Sequence, residues 1–327
     1  MEKRNIVKGV LFVGLGASIY GMLATFVKMS YQEGYTTSEV TSSQFMLGLV
    51  GLLILNFAQT LTSNKRLTSP STKEVGMLIL AGTSMGFTSL FYYLAVQYIN
   101  VSIAIVLLMQ SVWFSVVVEA FLTKKLPSLR KIIATLIVLI GTGLATNIIN
   151  QDIHLDWHGI FWGILAAASY TMTMFTSNTI ATHLPPLRKS LIMLVGGAIV
   201  VFTFLFFAQI GPLYFDGLKS VYLNFTENTQ HIRSFDYSIL WTYGLILAVF
   251  GTIIPPILFN IGFPNAGLGL GSIVSSLELP VSVMMAYVLL KENVLFIQWI
   301  GILLILLAIV LMNLPSKKEA HIAETVQ

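Results

Sequence analysis

The chain lacks cysteine and has few charged residues. Among its 327 residues there is no cysteine, and Asp, Glu, Lys and Arg together make up 10%. The absence of cysteine excludes disulfides and thiolate metal sites. Soluble domains carry about 25% charged residues, so the composition excludes an ordinary soluble domain. Hydrophobic residues supply 56% of the sequence and the mean hydropathy is +0.83, which indicates an integral membrane protein.

Ten continuous apolar stretches of membrane-spanning length run along the chain. A transmembrane helix needs about 20 apolar residues, whereas a barrel strand needs about half that number in an alternating pattern. The stretches therefore predict helices, five on each side of a polar link at residues 150–157. The predicted spans are 6–29, 37–61, 75–97, 101–123, 131–149, 157–181, 190–210, 238–262, 268–290 and 295–314.

The odd number of spans in each set has a consequence for topology. A unit of five spans begins on one side of the membrane and ends on the other, so a second such unit lies upside down relative to the first. The sequence therefore predicts an all-α integral membrane protein with ten transmembrane helices in two inverted five-helix repeats. We place the repeats at 1–150 and 151–315, followed by a short cytoplasmic tail at 316–327.

Residue identity between the two halves is weak. Moving the first half along by 167 positions pairs Ser115 with Ser282 and Lys124 with Lys291. Most other matches pair one apolar residue with another, as two unrelated membrane helices would. The order of spans and loops therefore carries the prediction of a repeat.

Basic residues predict the orientation. If the N-terminus is cytoplasmic, 14 of the 18 Lys and Arg residues fall on the inner side, as the positive-inside rule requires. We expect a multi-pass protein of the inner (cytoplasmic) membrane with both termini in the cytoplasm. The inner basic residues are Lys3, Arg4, Lys8, Lys65, Arg66, Lys73, Lys124, Lys125, Arg130, Lys131, Arg188, Lys189, Lys317 and Lys318. They are scattered among short loops, so nucleic acid is not an expected partner.

Glu278 is the strongest functional candidate, because it lies near the middle of the ninth span. A charged side chain there costs about 2.5–3.5 kcal/mol on insertion scales. In a functional interpretation, Glu278 faces a central cavity and binds a substrate amine or a coupling proton. In a structural interpretation, it hydrogen-bonds to neighbours such as Ser275 or Ser276. We favour the functional one, which is the default for an intramembrane carboxylate.

Prolines mark candidate hinges in the second half. Pro280 removes a backbone donor just after Glu278 and loosens the preceding turn. Pro255 and Pro256 predict a second break in the eighth span. Each of these prolines is either a gating hinge or a static kink, since proline is common in membrane helices.

Several other side chains at mid-span depth are candidates for substrate binding. Gln110 and Trp113 stand one helical turn apart in the fourth span, and Tyr20 and Tyr170 occupy similar depths in the first and sixth. For the aromatic residues, packing or lipid contact is an equal alternative. The predicted substrate-binding set is Tyr20, Gln110, Trp113, Tyr170, Ser275 and Glu278.

Other patterns have structural explanations. Glu119 lies about one turn from Lys124 and Lys125, so we expect it to pair with them at the inner surface. The glycines at 267–271 and 82–86 predict close helix packing. His154 and His158 are four residues apart without an evident third ligand, and Asp156 stands where a helix N-cap is needed. We expect no catalytic residue, metal or cofactor, and no Walker motif for ATP is present.

Two sets of short motifs carry a resemblance to a known family. The second half contains Ser276-Leu277-Glu278-Leu279-Pro280, then Leu290-Lys291-Glu292-Asn293 and Gln298-Trp299-Ile300-Gly301. The first span contains Ala17-Ser18-Ile19-Tyr20-Gly21, with Ala168-Ser169-Tyr170 as its counterpart. The chain resembles the EamA-type transporters of the drug/metabolite transporter superfamily over residues 6–314. It departs from them in the long outer loop, 211–237.

The resemblance implies a secondary transporter without ATP. Amino acids or related metabolites are the cargo that it implies, with export by alternating access and possible proton coupling. We expect a monomer or homodimer in the lipid bilayer. The alternatives are an intramembrane enzyme acting on a lipid-linked substrate and a receptor without transport activity.

Overall fold

The protein is helical throughout the part that the structure describes. In the computed structural model, the described residues are 5–62, 68–99, 101–146, 156–225, 232–289, 291 and 294–313, and none of them lies in a β-strand. His154, most of the link at 150–157, the tail at 316–327 and the charges at Lys3, Arg4, Lys65, Arg66, Lys317 and Lys318 lie outside these residues.

The first half has a helix at each of the five predicted positions. Asn5 and Ser128 begin two of them by accepting a hydrogen bond from a backbone N–H in the first turn, as N-caps do. Ser71 begins a third through a capping box with Glu74. The helices are α1 (Ile6–Gly21), α2 (Leu23–Gln32), α3 (Thr37–Thr62), α4 (Thr72–Tyr98), α5 (Val101–Leu108), α6 (Ser111–Thr123) and α7 (Leu129–Ala145).

The second half also has helix at each predicted position, with more interruptions. Asp156 caps the first of its helices by accepting from His158 N at 2.7 Å, and this hydrogen bond lowers the pKa of Asp156. The predicted cap is confirmed. The helices are α8 (Trp157–Thr179), α9 (Pro186–Leu205), α10 (Gly211–Tyr214), α11 (Asp216–Phe225), α12 (Gly244–Leu247), α13 (Ile254–Ala266), α14 (Leu268–Ser275), α15 (Glu278–Leu289) and α16 (Phe296–Asn313).

Eight helical stretches of the described chain are long and apolar enough to cross a membrane. They include Pro186–Tyr214 and Gly244–Ala266, which contain the π-helical turns Phe206–Ile210 and Ala248–Ile253. The shorter helices α7 and α16 pack against each other, with Gly141 close to the backbone of Gly301. The protein is therefore a multi-pass membrane protein.

The fourth and ninth predicted spans are interrupted in the same way. Helices α5 and α14 begin at Val101 and Leu268, 167 positions apart, and α6 and α15 begin at Ser111 and Glu278, again 167 apart. At both breaks the backbone switches to tighter i→i−3 hydrogen bonds. The bonds are Gln110 N to Leu107 O and Val112 N to Met109 O in the first half, and Leu277 N to Val274 O and Leu279 N to Ser276 O in the second.

The same correspondence extends to the turns that follow these helices. Lys124 and Lys291, also 167 positions apart, both have left-handed backbone, with φ of 52° and 54°. A non-glycine residue adopts this conformation infrequently. Two such residues at matching positions show that the halves share local backbone geometry, which their side chains hardly reveal.

Close glycine contacts hold the helices together. Helix α4 packs against α8 and α9, and a Cβ atom at Gly82 or Gly196 would meet the backbone of Met193 or Ile79. A Cβ atom at Gly9 would likewise meet the backbone of Ala266 on α13. The predicted role of the glycines at 82–86 in helix packing is confirmed.

The segment between α9 and the eighth span is tied to the bundle. We call the end of the bundle that carries residues 32–37, 211–225 and 232–243 the outer end, after the predicted orientation. There Glu39 is fully buried and accepts a hydrogen bond from Arg233 at 2.6 Å. It also accepts from Gln209 and from the backbone of Asp236 at 3.0 Å. Helices α10 and α11 lie in this segment, so part of the predicted loop is helical.

Candidate functional site

Two small cavities lie at the centre of the bundle. Tyr20 and Thr88 line both of them. The first, of about 20 Å³, also contacts Glu278, and the second, of about 30 Å³, contacts Tyr170. Each has room for about one or two water molecules, so the centre of the protein is nearly closed in this structure.

Glu278 lies at the first turn of α15, directly after the break in the ninth span. Its side chain is buried, with 7% of the residue exposed, and it lines the first cavity. The hydroxyl of Tyr170 donates a hydrogen bond of 3.4 Å to its carboxylate. Ser275 and Ser276 instead donate to carbonyls of their own helix, at 2.8 and 2.6 Å. The hydrogen-bond partner of Glu278 is therefore Tyr170, and the expectation of Ser275 or Ser276 as its partner was wrong.

Tyr20 and Tyr170, which the sequence places at similar depths, lie against each other. Their rings stack with centroids 5.9 Å apart and planes inclined by 17°. Ser89 of α4 lines the same cavity as Tyr20 and Glu278. Residues of α1, α4 and α8 thus surround the Glu278 carboxylate.

A hydrogen bond joins Gln110 and Trp113. The indole N–H of Trp113 donates to Gln110 Oε1 at 2.9 Å, and Gln110 Nε2 donates to Val106 O. Trp113 is 38% exposed on the outside of the bundle. Neither residue lines the two central cavities, and neither does Ser275. A role for these three in substrate binding stays a prediction.

The candidate hinge prolines border the site. Pro255 and Pro256 are buried in the first turn of α13 and line the second cavity. Pro280 lies in the first turn of α15, and Leu279 N takes the Ser276 carbonyl that a residue with an N–H at 280 would use. The same break occurs in the first half, where Trp113 stands in place of Pro280. Proline is therefore not required for it.

Several residues of the first cavity were missed by the sequence interpretation. Thr88, Ser89 and Tyr92 of α4 and Ser282 of α15 line the first cavity with Glu278. A cluster of hydroxyls in the middle of an apolar span was the signal for the first three. Ser282 lies one turn after Glu278 on the same helical face, which was the signal for the fourth.

Lys189 is a buried cation that was counted among the inner loop charges. It is 1% exposed and donates to the carbonyls of Thr176 and Ser177 at 3.1 and 2.9 Å. These carbonyls belong to the last turn of α8, where the helix dipole favours a cation. Pro186 begins α9 three residues earlier, which places Lys189 inside the helix rather than in the loop.

Glu119 has a different partner from the one expected. Lys131 Nζ lies 2.5 Å from its carboxylate. The expectation of Lys124 and Lys125 as partners was wrong, because the left-handed turn at Lys124 ends α6 and brings α7, with Lys131, alongside Glu119. The pair lies at the end of the bundle opposite the outer end, which we call the inner end.

A larger cavity opens towards the outer end. It has a volume of about 570 Å³ and is lined by Tyr31, Thr37 and Gln97 of the bundle and by Tyr222 of α11. Gln97 donates to the Thr37 hydroxyl at 2.6 Å, and Tyr31 bonds to the same hydroxyl at 3.0 Å. We call this cavity the outer vestibule.

His158 makes local contacts at the outer end. Its Nδ1 lies 2.8 Å from Asp156, and its ring stacks with Tyr98 at 5.4 Å. Within the described ranges, no group of three or more His, Cys, Asp or Glu residues is arranged to hold a metal ion.

The fold is that of a known structure. One solved crystal structure, described only as that of a protein, aligns with 93% of this chain and 97% of its own, with a TM-score of 0.69 and 14% sequence identity. At this identity, the likeness shows the fold alone. None of the curated proteins matches the chain significantly.

A family profile covers nearly the whole sequence. The profile of the EamA-like transporter family matches residues 7–147 and again residues 157–314. The two matches adjoin the polar link at which the sequence divides into two sets of five spans. The chain therefore belongs to the EamA-like transporter family.

Proposed function

We propose that the protein is a secondary transporter of small organic metabolites that binds its substrate at Glu278. The observation that carries this proposal is a buried carboxylate on a cavity at the centre of the bundle, with a single hydrogen bond of 3.4 Å recorded for its side chain. A carboxylate at this depth is costly unless it has a function or a strong partner. The stacked rings of Tyr20 and Tyr170 beside it provide aromatic surface.

This site suits a substrate with an amine and an apolar part. An ammonium group pairs with the carboxylate, and aromatic faces attract cations and apolar groups. Amino acids or related metabolites meet this description, in line with the family resemblance. We propose export as the direction, on the same resemblance.

The mechanism that we propose is alternating access between two inverted halves, 1–150 and 151–315, with ten transmembrane helices in all. The matching breaks at Gln110 and Leu277 and the matching turns at Lys124 and Lys291 support the duplication. The position of the site between broken helices at the centre of the bundle is typical of such transporters. In this structure the outer vestibule is open, whereas the central cavities are nearly closed.

The orientation that we propose has both termini in the cytoplasm and the chain in the inner membrane, as a monomer or homodimer. The basic residues of the inner loops support it. No observation in the described part of the chain favours the alternative of an intramembrane enzyme.

Transport in proteoliposomes tests the proposal. The purified protein is reconstituted and uptake is measured over a panel of labelled amino acids, amines and neutral metabolites, with and without a pH gradient. We expect saturable flux for a subset that carries an amino group, and no flux in liposomes without protein. Flux only for substrates without an amino group contradicts the assigned site, and no flux for any compound contradicts the function.

A further inference from the structure

We propose that the cavity beside Glu278 binds a sodium ion, held by the Glu278 carboxylate and the hydroxyls around it. The inference rests on the proposed function, because it makes the bound ion the species that is exchanged for the substrate. It goes beyond that function by naming a ligand for this cavity in the closed state.

The cavity lining has the chemistry of a hard-cation site. Besides the Glu278 carboxylate, it presents the hydroxyls of Thr88, Ser89, Tyr92 and Ser282. None of the described residues that line it has a nitrogen atom in its side chain. Hard cations such as sodium take oxygen ligands of these kinds.

Two of these oxygen groups lack protein partners. Ser282 and Tyr92 are 7% and 8% exposed and line the cavity. Among the hydrogen bonds of the described chain, none involves either hydroxyl. Neither oxygen is among the fully buried, unpartnered atoms of the described chain, so both keep access to the cavity, where a bound ion supplies a partner to each.

A close backbone approach positions Glu278 at the cavity. Gly21 of the first span lines the cavity, and a Cβ atom at Gly21 would meet the backbone carbonyl of Glu278. Glycine at this position allows the first span and α15 to approach this closely. The contact fixes the position of Glu278 at the wall of the cavity.

The size of the cavity favours an ion over an organic amine. Its volume of about 20 Å³ holds roughly one water molecule, and a sodium ion is no larger than a water molecule. An organic ammonium of several heavy atoms needs the cavity to open. A carboxylate is a strong-field ligand, so the site is expected to prefer sodium to the larger potassium ion.

Shared use of Glu278 couples the two ligands. One carboxylate neutralises one positive charge, so the substrate ammonium and the sodium ion exclude each other. A sodium ion that arrives from the outer side then displaces the ammonium, and transport becomes an exchange of one cation for another. This arrangement uses an inward sodium gradient to drive export.

The first experiment measures binding by the full chain. Thermal unfolding of the detergent-purified protein is followed in sodium, potassium and choline chloride at equal ionic strength. We expect a saturable rise in Tm with sodium alone, because a ligand that binds the folded state stabilises it. Ser282→Ala is expected to weaken the apparent sodium affinity about tenfold through the loss of one ligand, and Glu278→Gln to abolish the effect.

Ser115→Ala is the matched control. Ser115 is the counterpart of Ser282 in the first half, and its hydroxyl contacts Met174 instead. This variant is expected to keep the sodium response of the wild type. An equal response to sodium and potassium overturns the proposal, as does a sodium response that survives in Glu278→Gln.

Sodium exchange in proteoliposomes separates this inference from the proposed function. Entry of labelled sodium ions into sodium-loaded vesicles requires no knowledge of the substrate. We expect exchange by the wild type and its loss in Glu278→Gln. Substrate flux without sodium exchange overturns the inference and leaves the function standing. Sodium exchange without flux of any metabolite overturns the function and leaves the ion site standing.

Discussion

Tyr20 of α1 and Tyr170 of α8 stack at 5.9 Å with nearly parallel rings. Each lies in the first span of its half, so the stack joins the two halves of the protein. Tyr170 also donates the hydrogen bond to Glu278. Removing the Tyr170 hydroxyl therefore tests whether this hydrogen bond contributes to substrate binding by Glu278.

We expect Tyr170→Phe to weaken the apparent substrate affinity about fivefold. A hydrogen bond to a charged group contributes about 1.5–3 kcal/mol. The bond from Tyr170 to Glu278 is long, at 3.4 Å, so we expect it to contribute less than that. The ring and its stacking on Tyr20 are kept. The measurement is the concentration dependence of flux in proteoliposomes.

Tyr287→Phe serves as its control. Tyr287 lies on the same helix as Glu278 but is 54% exposed on the outside of the bundle. The change in affinity should be confined to Tyr170→Phe. Equal effects of both substitutions would show that the Tyr170 hydroxyl has no special part in binding.

Much of the fold, but little of the site, could be predicted from the sequence. Hydropathy alone located the eight stretches that are long and apolar enough to cross a membrane, because the bilayer sets the length of a membrane helix. Glu278 was found because an intramembrane carboxylate is conspicuous. Thr88 and Ser282 were not, because a hydroxyl in a membrane helix can bond to its own backbone, and only the packing of α4 and α15 brings these two onto one cavity.

Contacts between residues far apart in the sequence could not be predicted either. The contact of Arg233 with Glu39 joins residues 194 positions apart. Nothing in the local pattern of either residue indicates the other. The sequence paired Lys124 with Lys291, but the left-handed backbone conformation of both residues could not be predicted from it.

The ion pair between Glu39 and Arg233 predicts a loss of stability when one partner is removed. We expect Arg233→Ala to lower the stability of the folded protein by about 1–3 kcal/mol. The loss leaves a fully buried carboxylate without its cation, although Arg233 itself is 40% exposed, which reduces the effect. Thermal unfolding in detergent measures it.

Lys219→Ala is the comparison for this variant. Lys219 is an exposed basic residue of α11 in the same segment. Its loss should change Tm little, as for most surface charges. Similar Tm values for the two variants would contradict a stabilising role of the pair.

Glycine packing gives a second prediction of stability. We expect Gly82→Ala to destabilise the protein by about 1–3 kcal/mol, because the added methyl group meets the backbone of Met193. Gly76→Ala, on the same helix, has no atom within 4 Å of the added carbon. That variant should be neutral or stabilised by up to about 1 kcal/mol through helix propensity. Thermal unfolding compares the two, and equal stability would contradict the close approach of α4 and α9.

The proposed orientation can be tested by labelling single cysteines. The sequence contains no cysteine, so each substitution introduces the only thiol. We expect a membrane-impermeant maleimide to label Gly217→Cys in intact cells and Lys73→Cys only after the membrane is opened. Both positions are exposed. The reverse labelling pattern would show that the orientation is opposite to the proposed one. Labelling of both variants in intact cells would contradict the odd number of membrane crossings between positions 73 and 217.

The most direct test of the central claim is substrate counterflow in proteoliposomes, which needs no ion gradient. The comparison is between wild type, Glu278→Gln and Glu119→Gln, because both glutamates lie in predicted spans and Glu119 pairs with Lys131 at the inner end. We predict that Glu278→Gln abolishes counterflow of the transported amine while Glu119→Gln retains it. Full counterflow by Glu278→Gln would contradict the assignment of the substrate site to this carboxylate.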